Sequence, residues 1–218
     1  MRQAGRRSYR PGEETRSRLL EAGLVLFGRQ GFDGTSVRQL AVRAGVAVPA
    51  IAYHYTDKAG LYHACALHVI RRYRERMAPL LGELGDPAEI RDREAARDAL
   101  HRIVLALSDM LVPRGSEPGW TRFMMREMQI GGPAYDLMLE RLWLPGLALT
   151  AALVGRARGR ASPTLGDRIA ALHLLSGLNW QGAARRVSEA FLGRRLDRIP
   201  RPVVVAEFAA LTANIGSE

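Results

Sequence analysis

Apolar residues in this chain recur at helical spacing from one end to the other, and no stretch alternates as a strand would. Leu20, Leu24 and Phe27 form one stripe, widened by Leu19, Gly23 and Leu26. Val37, Leu40, Ala41 and Ala44 form a second, and Val204, Phe208, Leu211 and Ile215 a third. The pattern predicts an all-α fold of about nine helices. They run near 14–30, from the Thr35-Ser36 cap to Gly45, 48–55, 58–81, 88–112, 119–129, 134–156, 163–192 and 202–215. The 163–192 stretch contains Gly177 and Gly182 and is expected to kink or split.

The most informative segment is Ser36–Tyr55. Ala41, Gly45 and Ile51 have the spacing of a helix-turn-helix. Ala41 lets two helices cross closely, Gly45 supplies a left-handed turn, and Ile51 pins the second helix to a small core. In that geometry the second helix enters the major groove, with its first residues facing base edges. Here Val48, Pro49 and Ala50 suit thymine methyl groups. Thr35, Ser36, Arg38, Arg43, Tyr53, His54 and Lys58 suit phosphates, which position a protein without reading sequence. Tyr55 reads as a core aromatic; Tyr53 reads as core or phosphate-facing, and His54 as phosphate-facing or a surface histidine.

Charge supports this placement. The chain has 218 residues and a formal charge of +10. Residues 1–60 hold ten cations and five acids, so half the excess lies in little more than a quarter of the chain. Arg2, Arg6, Arg7 and Arg10 form an arm that either follows DNA or merely solubilises. The expected organisation is a basic arm at 1–12, a DNA-binding domain at 13–60, and a ligand-binding and dimerisation domain at 61–218.

Other function classes find little support. There is no Gly-x-Ser-x-Gly, Walker-type glycine loop or His-Glu-x-x-His, so no catalytic residue is assigned and no enzyme is expected. Cys65 is the single cysteine, and His63, Cys65 and His68 spread around a helix, so neither a metal site nor a cofactor is expected. The N-terminus lacks a signal-peptide core, and the longest uncharged run, Ile169 to Ala184, is short of a membrane span. These features predict a cytoplasmic protein with no membrane partner.

Trp120, Phe123, Met124, Tyr135, Trp143 and Trp180 gather soft, large side chains, with Arg126, Glu127 and His173 as polar anchors. Together they read as a pocket for a small apolar or amphipathic effector; each taken singly reads as core. The last two long helices carry Ile169, Leu172, Leu175 and Gly177, then the stripe from Val204, and are candidates for a homodimer interface.

Two blocks, RLLEAGLVLFGRQGFDGTSVRQLAVRAGV and AIAYHYTDKAGLY, resemble the DNA-binding domain of TetR-type transcriptional regulators, and the latter block is most similar to the CecR-type subgroup. The likeness spans about Thr15 to Tyr62. It implies a homodimer on a palindromic double-stranded operator, a repressor or activator altered by a small ligand. It also implies phosphate contacts from Thr35, Tyr53, His54 and Lys58, with Arg38 and Val48–Ala50 near base edges. Ala47 departs from the family's usual capping residue, a loss of about 1 kcal/mol, and Ala52 from a more polar or aromatic one. The alternative is an architectural or partner-binding DNA-binding protein of the same fold without an effector.

Overall fold

The computed structural model describes residues 11–85, 89–111, 119–183, 185–213 and 215, and no strand occurs among them. The basic arm and the loop at 112–118 lie outside the described residues, as does the side chain of Trp180. Ten helices are described: α1 Pro11–Gln30, α2 Val37–Ala44, α3 Pro49–Tyr55, α4 Lys58–Leu84, α5 Arg93–Leu111, α6 Gly119–Ile130, α7 Tyr135–Ala157, α8 Leu165–Ala183, α9 Arg185–Leu192 and α10 Arg201–Ala213. Across the stretch expected to kink or split, Leu165–Ala183 and Arg185–Leu192 are helical, with Gly177 inside the first; residue 184 lies outside the described residues.

The chain divides into two compact units. The first holds residues 1–69 and 119–136, and the second holds residues 70–118 and 137–218. In the first, Leu19, Leu24 and Phe27 of α1 are buried with Leu40, Ile51, Leu61 and Tyr62. Helix α6 joins this unit by packing along α1. Gly28 makes that approach possible, since a Cβ there would stand 3.0 Å from the backbone nitrogen of Phe123. Tyr62 then collects three aromatic neighbours, with ring centroids 4.7 Å from Phe27, 5.1 Å from Phe32 and 4.9 Å from Phe123. Such edge-on contacts add about 0.5–1.5 kcal/mol per pair beyond burial.

In the second unit α7 packs against α5 and α8, and Leu153, Val154 and Ala157 of α7, Leu100 and Val104 of α5 and Ala171 of α8 are all buried. A π-helical turn, Leu139–Trp143, interrupts α7 just before Pro145. Proline has no N–H to give the carbonyl four residues back. That carbonyl, on Arg141, accepts instead from Arg74 at 3.4 Å. Tyr135–Ala157 is also long and apolar enough to cross a membrane by length and composition, with a mean hydropathy of 1.5 in its most apolar window. A count of uncharged runs overlooks it because Glu140 and Arg141 break the run.

Between α7 and α8 the chain is clamped by Asp167, which is fully buried. Its Oδ1 accepts from Arg158 at 2.9 Å and Arg160 at 2.7 Å; its Oδ2 accepts from the Thr164 N–H and hydroxyl, both at 2.8 Å. Burial alone pushes this carboxyl up. The hydrogen bonds from Thr164 and Arg158 and the charge of Arg160 outweigh it and hold the group below its ordinary range.

Candidate nucleic-acid interface

Helix α2 begins with a reciprocal cap. The Ser36 hydroxyl accepts from the Gln39 N–H at 3.2 Å, and the Gln39 side chain accepts from the Ser36 N–H at 2.8 Å. Leu40, Ala41 and Ala44 face the core, leaving Arg38, Val42 and Arg43 outside. Gly45 ends the helix at φ 64°, and Val46 N–H returns to the Ala41 carbonyl at 3.0 Å. Nothing crowds Gly45 closer than 3.6 Å, so the left-handed backbone, not lack of space, demands glycine.

Helix α3 follows with Pro49 in its first turn, where a missing N–H is harmless. Val48 precedes it with no side-chain cap. Ile51 and Tyr55 point inward, and the Tyr55 hydroxyl donates to the Arg16 carbonyl at 2.8 Å. The opposite face carries Val48, Pro49, Ala52 and Tyr53. Tyr53 is 85% exposed, its ring edge-on to the half-buried His54 at 4.9 Å. An exposed helix face of small apolar groups, with a phenol at its end and Arg38 and Arg43 on α2 nearby in sequence, is suited to lie against a polyanion's groove. Beside α2, Leu26, Ser36, Arg38, Gln39, Val42 and Arg43 line an open depression of ≈ 600 Å³.

Thr35 and Lys58 work behind this face. Thr35 is buried, its hydroxyl donating to the Gly31 carbonyl at 2.8 Å and its N–H to Phe32 at 3.3 Å. Lys58, the chain's only lysine, donates to the carbonyls of Phe32 at 3.0 Å and Thr35 at 3.2 Å. Its ammonium lies 4.1 Å from the centre of the Phe32 ring. A compact ammonium with donors in three directions serves two carbonyls and a ring face; a planar guanidinium does not. Lys58 therefore staples the start of α4 to the turn that launches α2. Asp57 caps α4 by accepting from the Gly60 N–H at 2.7 Å. Thr56 closes the α3–α4 link at φ 72°, with Asp57 N–H bonded to the Tyr55 carbonyl at 2.8 Å, a tight and strained turn for a β-branched residue.

Residues 19–65 match the family model of bacterial regulatory proteins of the tetR family. Over those residues the chain carries a helix-turn-helix domain of the tetR type. It is 29% identical to the transcriptional dual regulator CecR of Shigella flexneri over 138 residues, 62% of this chain and 60% of that protein. The chain thus spans less than two thirds of that relative's length in the match. The fold extends further. FadR from Bacillus subtilis, solved with stearoyl-CoA, superposes with a TM-score of 0.62 over 93% of this chain and 99% of its own, at 14% identity. AibR, solved with isovaleryl coenzyme A and operator DNA, gives 0.57 over 78% and 86%, at 16% identity.

The nine residues expected to line an effector pocket are distributed between the units. Trp120, Phe123 and Met124 are buried in α6 of the first unit. The Arg126 guanidinium lies against Gly31 in the same unit. Glu127, 1% exposed, accepts from the Tyr62 hydroxyl and from the Ala134 N–H at 3.0 Å. Burial, then the Glu127 acceptor and its charge, push the Tyr62 phenol well above its usual range. Tyr135 is half-buried beyond α6, Trp143 is half-buried in the second unit, and His173 is exposed there. Periodicity did not reveal the Tyr62–Glu127 joint, because its partners are 65 residues apart. The sequence signal for it was Glu127 among the large apolar side chains of α6, where it reads as a polar anchor of a pocket.

Proposed function

We propose that this chain is a regulator of the TetR family, a ligand-responsive transcriptional repressor that binds a palindromic operator as a homodimer in the cytoplasm. The observation that carries the reading is the outward face of α3 with the exposed Arg38 and Arg43 of α2, held by the Lys58 staple. Val48, Pro49 and Ala50 meet base edges. Ser36, Arg38, Arg43, Tyr53 and His54 meet phosphates, and Thr35 and Lys58 set the angle of α2 from behind.

The dimer forms through α8 and α10. Leu165, Ile169 and Leu172 are exposed at i, i+4 and i+7 on α8, and Val203 and Leu211 are exposed on α10. A two-fold axis there would repeat the recognition helix at about one DNA turn, roughly 34 Å, or a multiple. An effector of small apolar or amphipathic character is supported by the CoA thioesters named in the AibR and FadR structures. A buried His101 nitrogen without a hydrogen-bond partner in the second unit offers it a polar contact.

Selecting bound sites from a random duplex pool tests the reading. A palindrome should emerge, with affinity falling steeply as salt rises, since each phosphate contact contributes about −0.9 to the log–log slope. Tyr53→Ala should weaken all sequences alike, whereas Val48 or Ala50 replacements should change which sequence wins. Equal affinity for selected and random duplex would sink the proposal.

A further inference from the structure

We propose that the outward face of α3 reads the C5-methyl group of pyrimidines and no other feature of the base edge. It therefore takes 5-methylcytosine as it takes thymine, and operator affinity depends on cytosine methylation. The inference rests on the reading of α3 as the helix that enters the major groove, and it names the chemistry recognised there.

Helix α3 and the two residues before it, from Ala47 to Tyr55, contain no Arg, Lys, Asn, Gln, Asp or Glu. Those are the side chains that read bases most directly by hydrogen bonds: Arg or Lys on guanine, Asn or Gln on adenine, Asp or Glu on the cytosine amino group. Val48, Pro49, Ala52 and Tyr53 fall at i, i+1, i+4 and i+5, one side of a helix, and all four are exposed. Ile51 and Tyr55 take the opposite side, in the core. Val48 leaves 46% of its surface to solvent, so a branched apolar group opens the face.

The polar groups around α3 do not replace the missing readers. Gln39 is held in the cap of α2, its amide oxygen accepting from the Ser36 N–H at 2.8 Å. The donor–acceptor pair that an adenine requires is thereby broken. The Ser36 hydroxyl accepts from the Gln39 N–H, and Asp57 caps α4 through the Gly60 N–H. Thr35 and Lys58 are turned inward to the carbonyls of Gly31, Phe32 and Thr35. Tyr53 and His54 stand edge-on to each other near the end of α3, and each offers single-point contacts rather than a fork. Arg38 and Arg43 belong to α2, so a guanidinium contact comes from beside α3 and not from it.

The base edges then set the preference. In the major groove thymine presents an O4 acceptor and a C5-methyl, and cytosine an N4 amino donor and a bare C5–H. An apolar face pairs with neither O4 nor N4, so both bases leave one polar group unmatched. The methyl is what remains to distinguish them. 5-Methylcytosine carries that methyl at the same carbon.

The test uses the full chain and the palindrome selected from the random pool, with affinity read by fluorescence anisotropy. Each thymine is replaced in turn, in both half-sites, by deoxyuridine, by cytosine opposite guanine, and by 5-methylcytosine opposite guanine. Deoxyuridine at a contacted position should weaken binding about fourfold per methyl, about tenfold or more for the two half-sites together. Cytosine should bind no better than deoxyuridine, and 5-methylcytosine should recover most of the loss. Arg43→Gln should weaken all four duplexes alike. Val48→Ala, with its helical spectrum intact, should narrow the gap between thymine and deoxyuridine, which a merely structural role for Val48 would leave unchanged. Three outcomes overturn the inference: deoxyuridine equal to thymine at every position, 5-methylcytosine no better than cytosine, or selected half-sites that lack thymine. Equal affinity for selected and random duplex overturns the regulator reading and this inference with it. Sequence-selective binding that ignores the methyl overturns this inference alone.

Discussion

In the first unit the exposed large apolar groups include Val42, Val48 and Tyr53 of the helix-turn-helix, which also exposes Arg38 and Arg43, while the core aromatics Phe27, Tyr62 and Phe123 close on one another. In the second unit the exposed groups fall into rows. Leu165, Ile169 and Leu172 line α8, and Val187 and Phe191, the latter 87% exposed, line α9. A unit that closes its own core can afford a polar, basic surface. A unit that leaves helical rows of leucine and isoleucine in water presents the kind of surface that the proposed dimer would cover. The contrast matches the proposed division between a DNA-reading unit and an assembling one.

The contrast can be broken most forcefully at Phe27, which has no exposure and meets the rings of Phe32 and Tyr62. Phe27→Ala should cost about 3–5 kcal/mol in chemical denaturation and leave the oligomeric state of the remaining folded protein unaltered. The assembling unit should answer the other way. Ile169→Asp with Leu172→Asp should raise the dimer dissociation constant at least about a hundredfold, roughly 2.7 kcal/mol, in sedimentation velocity, with the helical spectrum intact. A variant that stays dimeric at micromolar concentration would remove α8 from the interface.

Glu127 sharpens the picture inside the first unit. Glu127→Ala leaves the Tyr62 hydroxyl and the Ala134 N–H without an acceptor and should cost about 1–3 kcal/mol, whereas Glu127→Gln keeps an acceptor oxygen and should cost less. The smallest effect is expected at Asp167. Its folded-state pKa is lowered, so its contribution is present above the ordinary aspartate range and is lost as pH falls through the lowered value. Asp167→Asn should therefore flatten the acid-side loss of stability measured by denaturant titration across pH. An unchanged slope would show that the two arginines do not depend on its charge.

Much of the helical order was readable because each helix buries a stripe, and a stripe is a local pattern. The expected starts of α3, α4 and α6 lie close to those observed, and Gly45 has the left-handed backbone that its place in the turn required. Thr35 was harder. Its type and position suggest a phosphate contact, yet its buried hydroxyl turns inward and donates to the Gly31 carbonyl. The π-helical turn in α7 was not read at all: the stretch 134–156 reads as one plain helix, and Pro145 within it raises no expectation.

The sequence by itself determined that the chain is helical, where its helix-turn-helix lies, and which family it resembles, because periodicity, glycine placement and short motifs are properties of neighbours. Only the tertiary structure decided that α6 belongs with the DNA-binding unit, that the single lysine staples a turn, and that Tyr62 and Glu127, 65 residues apart, meet at one joint. Those outcomes depend on which surfaces meet, and contacts between distant segments leave no periodic trace in the chain.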